Sequence, residues 1–249
     1  MNWNKFHFYH GRVAVNFLAL DPKNAKEVYD IMDGNAIIGL LSSQFDTTEA
    51  AVEMGKAYLK EIPVLSIGLG NGDPKQWHAV AEIASSLDAG HANQVFPAAG
   101  YTKGMLDARK CESTFVNALV RPTGTPGIVE ISTGPNSQDQ EKAFVPVETA
   151  IAMLKEVGVS SVKFFHMKGL THLDELKIVA EASAKLGMPV IEPTGGITPE
   201  NVAAIVKVCL DAGVERIVPH IYGSVIDKET GKTNTDLVKK AYQEIQKLF

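Results

Sequence analysis

Short apolar runs alternate with amphipathic stretches along most of this chain. "RVAVNFLAL" (Arg12–Leu20) reads as a strand, and Asp21–Pro22 then marks a helix start with proline in the first turn. "AIIGLLS" (Ala36–Ser42) is a second strand, followed by a helix capped by Asp46 or Thr47 that carries Ala50, Val52, Met54, Ala57 and Leu59. "PVLSIGLG" (Pro63–Gly70) predicts a third strand, with a helix over Pro74–Leu87. A weaker fourth strand, "NQVFPAAG" (Asn93–Gly100), precedes the helical "TKGMLDARK", and "TFVNALVRPT" (Thr114–Thr123) is a fifth. The alternation then breaks. "GIVEIST" (Gly127–Thr133) and the polar "GPNSQDQEKA" predict a hairpin-like insertion ahead of a helix that begins near Pro146. Strands over Ser161–Met167, Met188–Gly195 and Glu215–Gly223 follow, each with its helix: His172–Leu186, Pro199–Ala212 and Thr235–Leu248.

Short, mostly apolar strands, each followed by three or four helical turns, are the pattern of parallel strands covered on both faces. Eight such units in 249 residues predict an α/β protein that folds as one (β/α)8 TIM barrel over residues 1–249, with the insertion after strand five. A doubly wound open sheet is the alternative. No Pro/Gly/Ser linker divides the chain. A hydrophobic share of 45% is ordinary for a sizeable core. The net charge of −5 disfavours nucleic acid or an anionic membrane as partner, and Trp3 and Trp77 form no stacking pattern for bases. No apolar run is long enough to span a bilayer, and "MNWNKFHFYHGR" lacks the apolar centre of a secretory signal, so a soluble cytoplasmic protein is expected. Cys111 and Cys209 have no metal-like spacing and read as reduced thiols.

One residue does not fit its strand. Lys163 lies in "SVKFFHM", where a buried strand normally excludes an ammonium group. If its face points inward, apolar surroundings lower the lysine pKa, and a neutral amine can condense with a ketone to form a Schiff base. The alternative is a lysine that snorkels to the strand end or pairs with a buried carboxylate. On the next strand, "IEPTGGITPEN" ends in Gly195 and Gly196 just before a helix start, and bare amides there suit a phosphate. An ordinary glycine-rich turn would look the same. Gly223 and Ser224 in "YGSV" add another amide and a hydroxyl after strand eight, and phosphate sites after strands seven and eight recur in barrels.

"VKFFHMKG", "EPTGGITPEN" and "YGSV" together resemble the KDPG/KHG aldolase family, class I lyases on a (β/α)8 barrel. The match covers about the C-terminal third. "FPAAGYTKG" and "LVRPTGTPGIVEIST" resemble the separate, larger, DgaF-like branch. The resemblance implies cleavage of 2-dehydro-3-deoxy-6-phosphogluconate to pyruvate and glyceraldehyde 3-phosphate, with no cofactor and no metal. It implies the Schiff base on Lys163, the phosphate near Gly195, Gly196, Gly223 and Ser224, Thr194 lining the site, and a homo-oligomer.

Two departures stand out. The family's glutamate and arginine on strand two are absent from "IIGLLSSQ", and His166 replaces the proline after KFF. The acid/base must therefore come from elsewhere. Glu192 ranks first, because it shares a face with Thr194 one strand from Lys163; a buried partner that closes a polar network is an equal reading. Asp21 and Glu130 are weaker alternatives. Arg121, at the end of strand five, could fork onto the substrate carboxylate or simply form a surface ion pair, with Lys103 as an outside option. Lys168 is a lesser nucleophile because water on its loop keeps it charged. His166 and His220 could line the site; His7 and His10 are an isolated HxxH. Alternative functions are a sugar-phosphate isomerase or epimerase without an imine, cleavage of unphosphorylated 4-hydroxy-2-oxoglutarate, and a non-catalytic phospho-ligand binder.

Overall fold

Chain order and sheet order nearly coincide in the computed structural model, which describes residues 2–249. The strands are β1 (Val15–Leu18), β2 (Ala36–Leu41), β3 (Leu65–Gly68), β4 (Gly90–Val95), β5 (Phe115–Pro122), β6 (Ile128–Glu130), β7 (Phe144–Pro146), β8 (Ser161–Phe165), β9 (Val190–Thr194) and β10 (Arg216–Ile217). The sheet runs β1-β2-β3-β4-β5-β8-β9-β10, with parallel pairing at every step. It closes on itself: Ala14 N donates to Ile217 O at 3.2 Å, and Asn16 N to Pro219 O at 2.9 Å. The outcome is the TIM-type barrel rather than the doubly wound sheet.

The helices are α1 (Pro22–Ile31), α2 (Thr48–Tyr58), α3 (Trp77–Leu87), α4 (Ala99–Ala108), α5 (Val147–Glu156), α6 (Leu173–Leu186), α7 (Val202–Asp211) and α8 (Thr235–Gln246). Their starts follow the local chemistry. Asp21 caps α1 by accepting from Asn24 N at 2.7 Å, ahead of Pro22. Thr47, not Asp46, caps α2 through Ala50 N at 3.2 Å.

Two strands differ from the sequence reading. The fourth begins at Gly90 and ends at Val95, so Phe96–Ala98 is a 3-10 turn and Ala99 already lies in α4. Its polar start, "GHANQ", hides it from any hydrophobicity rule, because those side chains bond inside the protein instead of packing apolarly. The eighth is regular only over Arg216–Ile217, then continues through single bridges at His220, since Pro219 has no N–H to give. The insertion is a three-stranded antiparallel ribbon: Arg121 pairs with Glu130 across β5 and β6, and Ile128 with Pro146 across β6 and β7.

The barrel interior is layered. At the N-terminal end Ala14, Ile37, Val64, Phe115, Val190 and Val218 form an apolar floor. Phe6 of the leader buries into it, with Trp3 and Phe8 packed alongside, and the Arg216 guanidinium lies 4.5 Å from the Trp3 ring centre. Above this floor the interior turns polar, and above that it opens.

Candidate active site

Alternation along the strands sends Ser66, His91, Asn93, Asn117, Ser161 and Glu192 into the barrel, all buried. At their centre is the Glu192 carboxylate, with no exposed surface. Its Oε1 accepts from Ser161 Oγ at 2.6 Å and His91 Nε2 at 3.0 Å. Its Oε2 accepts from Asn117 Nδ2 at 2.6 Å and His220 Nε2 at 2.6 Å. Burial alone would raise the carboxyl pKa, but the adjoining His91 and His220 outweigh it and hold Glu192 well below the usual range. His91 is oriented in turn by Ser66 Oγ, 2.7 Å from Nδ1, and Ser66 accepts from Asn93 Nδ2 at 2.8 Å.

Lys163 sits at the upper edge of this network, next to Glu192 in register across β8 and β9. Its Nζ donates to Asn93 Oδ1 at 2.8 Å and lies 3.4 Å from His220 Nδ1. Burial lowers its pKa to about 8, against the opposing pull of the Glu192 charge. The amine faces a cavity of about 300 Å³ at the carboxyl ends of the strands. Leu41, Leu119 and Phe165 supply apolar wall; Thr194, His220 and Tyr222 supply polar wall.

Both glycine segments reach this cavity. Gly196 has φ +70°, and a Cβ there would meet Gly169 N at 2.5 Å; Gly195 has φ +103° and would meet His166 Nδ1 at 2.5 Å. Only glycine fits either position without strain. Gly223 faces open space. Among the described residues the amides of Gly195, Gly196, Gly223 and Ser224 have no protein acceptor. Ser224 Oγ donates to Ile197 O at 2.8 Å, which ties the two loops together. Thr194 Oγ1 donates back to Glu192 O at 3.2 Å.

The structure thus gathers Lys163, Thr194, Gly195, Gly196, Gly223 and Ser224 around one cavity. It leaves two expected residues outside that wall. Glu192 is in the expected place, yet all four donors around it are protein groups, so it has no oxygen free for a substrate hydroxyl. Arg121 turns to the insertion, where Nη1 donates to Glu130 Oε1 at 2.9 Å, and it does not line the cavity. That ion pair also occupies Glu130, which accepts from Ser132 Oγ at 3.3 Å as well. Asp21 is spent as a helix cap, Lys103 pairs with Asp107, and Lys168 is exposed off the cavity wall. His166 and His220 both line the cavity. His10 stacks on Phe249, and no cluster of three metal-binding side chains occurs among the described residues.

His91, Asn93, Asn117 and Tyr222 were not singled out from the sequence. For His91, Asn93 and Asn117 the signal is a polar side chain at every second strand position, in the same parity as Lys163; Tyr222 lies beyond β10 and carries no such signal.

A family model described as KDGP aldolase matches residues 9–229. The chain is 44% identical over 244 residues to a 2-dehydro-3-deoxy-phosphogluconate aldolase of Salmonella typhimurium, covering 98% of this chain and 99% of that protein. Solved structures of similar shape include a tryptophan synthase α-subunit mutant of Pyrococcus furiosus (TM-score 0.58, 15% identity, 97% of this chain and 100% of that one). Thiamine phosphate pyrophosphorylase from the same organism is another (TM-score 0.57, 12% identity, 95% and 97%). The carboxyl transferase domain of Rhizobium etli pyruvate carboxylase also matches (TM-score 0.54, 14% identity), although this chain spans 47% of that one. At these identities the likeness is one of fold alone.

Proposed function

Since the chain belongs to the KDGP aldolase family and is thereby an aldolase, we propose that it works through a Schiff base on Lys163 and cleaves 2-dehydro-3-deoxy-6-phosphogluconate to pyruvate and glyceraldehyde 3-phosphate. The observation that carries this reading is the partly buried Lys163 amine, its pKa lowered to about 8, facing the same cavity as the unused glycine amides.

The neutral amine attacks the C2 ketone, and loss of water leaves an iminium. That cation draws the electrons of the C3–C4 bond as the C4 hydroxyl loses its proton, and glyceraldehyde 3-phosphate departs. Protonation of the enamine at C3 and hydrolysis release pyruvate. Amides of Gly195, Gly196, Gly223 and Ser224 hold the phosphate, so binding energy at the far end orients the scissile bond. Leu41, Leu119 and Phe165 keep the amine dry enough to remain a nucleophile. Phosphorylated substrate and the free thiols Cys111 and Cys209 fit a cytoplasmic enzyme.

Borohydride reduction in the presence of pyruvate tests the proposal. One reduced pyruvyl group is expected on the peptide that contains Lys163. An active enzyme that gains no such mass would instead be a lyase without an imine.

A further inference from the structure

A class I cleavage needs a group that takes the C4 hydroxyl proton and returns it to C3. Among the described residues no carboxylate lines the cavity, and its titratable side chains are Lys163, His166, His220 and Tyr222. Burial raises the Tyr222 pKa, so its phenol keeps its proton, and it donates to Asn16 Oδ1 at 2.9 Å. His166 is exposed on the loop, where its Nδ1 accepts from Lys168 N at 2.9 Å.

His220 differs in every respect. It is buried, and its Nε2 lies 2.6 Å from the Glu192 carboxylate, which can only accept. The ring proton is therefore on Nε2, and Nδ1 carries a lone pair. That lone pair lies 3.4 Å from Lys163 Nζ, the atom that becomes the imine, and 3.1 Å from the Tyr222 hydroxyl. On the Schiff-base reading above, we infer that His220 Nδ1 is the catalytic base that takes the C4 hydroxyl proton, and the acid that then gives it to C3. Glu192 is the residue that positions it, held in turn by His91, Asn117 and Ser161.

The electrons balance. As the O–H proton moves to Nδ1, C4–O becomes a carbonyl, the C3–C4 bond breaks, and its pair forms the C2–C3 double bond and neutralises the iminium nitrogen. One positive charge leaves nitrogen as one appears on imidazole, so the cavity's charge does not change. Burial first, and the Lys163 charge second, hold the His220 pKa at about 3, so the ring starts neutral. The cation that depresses it vanishes in the same step that protonates it, while the Glu192 charge remains 2.6 Å away to stabilise the imidazolium.

The test combines equilibrium borohydride trapping of pyruvate with exchange of the pyruvate methyl hydrogens into D2O. Wild-type enzyme is expected to do both. His220→Gln should still yield the Lys163 adduct, while exchange and cleavage fall at least about 100-fold. A merely structural role for His220 would lower trapping and exchange together, and that result overturns the inference, as does exchange within about threefold of wild type with the adduct intact. Failure of the wild type to form any adduct removes the Schiff-base reading and the inference with it. If His220→Gln does not fold, nitrogen-15 shifts of labelled histidine in the wild type decide: a neutral ring protonated at Nε2 supports the assignment, and one protonated at Nδ1 overturns it.

Discussion

Replacing Lys163 with methionine should make the protein more stable while abolishing imine formation. The amine's pKa falls from 10.5 to about 8 on folding because burial disfavours the ammonium. At about 1.4 kcal/mol per pH unit, carrying a charged Lys163 at pH 7 costs the folded state roughly 3 kcal/mol. Methionine removes that cost and the hydrogen bond to Asn93 Oδ1, worth about 1 kcal/mol. Neither acceptor is stranded: Asn93 Oδ1 still accepts from Asn117 Nδ2 at 3.0 Å, and His220 Nδ1, whose Tyr222 neighbour donates to Asn16 Oδ1, borders the cavity, where water takes the place of the lysine. A net gain of about 2 kcal/mol is expected at pH 7. The sign reverses with alkalinity. The folded pKa lies below the unfolded one, so between about 8 and 10.5 the unfolded chain binds more protons and wild-type stability rises with pH. The advantage of Lys163→Met should therefore shrink to zero or below by pH 10.5. Paired urea titrations at pH 7, 9 and 10.5 measure this, with all other groups common to both proteins. A variant no more stable than wild type at pH 7, or an advantage constant with pH, would refute the burial argument.

The rate of pyruvate trapping should climb about tenfold per pH unit from pH 6 to 7 and level off above about 8, as Lys163 loses its proton; a flat profile in quenched-flow trapping contradicts this. Gly196→Ala places a Cβ 2.5 Å from Gly169 N at φ +70° and should cost about 1–3 kcal/mol in thermal melts, while Gly223→Ala, facing open space, should melt like wild type yet raise KM for the phosphorylated substrate. The reverse order of stabilities would dismiss the assigned geometry. Arg121→Ala breaks a pair with the buried Glu130, which keeps Lys142 at 3.5 Å and Ser132 at 3.3 Å, and should cost about 1–3 kcal/mol with KM within about threefold; a KM increase of about 100-fold would return Arg121 to the substrate carboxylate. Glu192→Gln should lose at least about 3 kcal/mol in urea, since an amide cannot accept from four donors; a near-neutral effect would contradict the buried network.

Local chemistry made several features readable along the chain. The alternation of apolar runs and amphipathic helices carried the barrel and its order, because period and burial are properties of a segment and its two faces. Lys163 inside "VKFF" stood out for the same reason, and Gly195–Gly196 did so because only glycine adopts those backbone angles against His166 and Gly169. The start of β4 at Gly90 was invisible, since "GHANQ" is polar for reasons that lie on other strands.

Partnership was what folding alone settled. Glu192 meets His91, Asn117, Ser161 and His220 from 101, 75, 31 and 28 residues away, and no segment records which of them will arrive. A carboxylate on an inward face can serve a substrate or other side chains, and the choice depends on how many donors converge after the barrel closes. The same closure brings His220 Nδ1 beside Lys163 and draws Arg121 toward Glu130, so a residue's type and face come from its neighbours in sequence, while its chemical role comes from neighbours across the sheet.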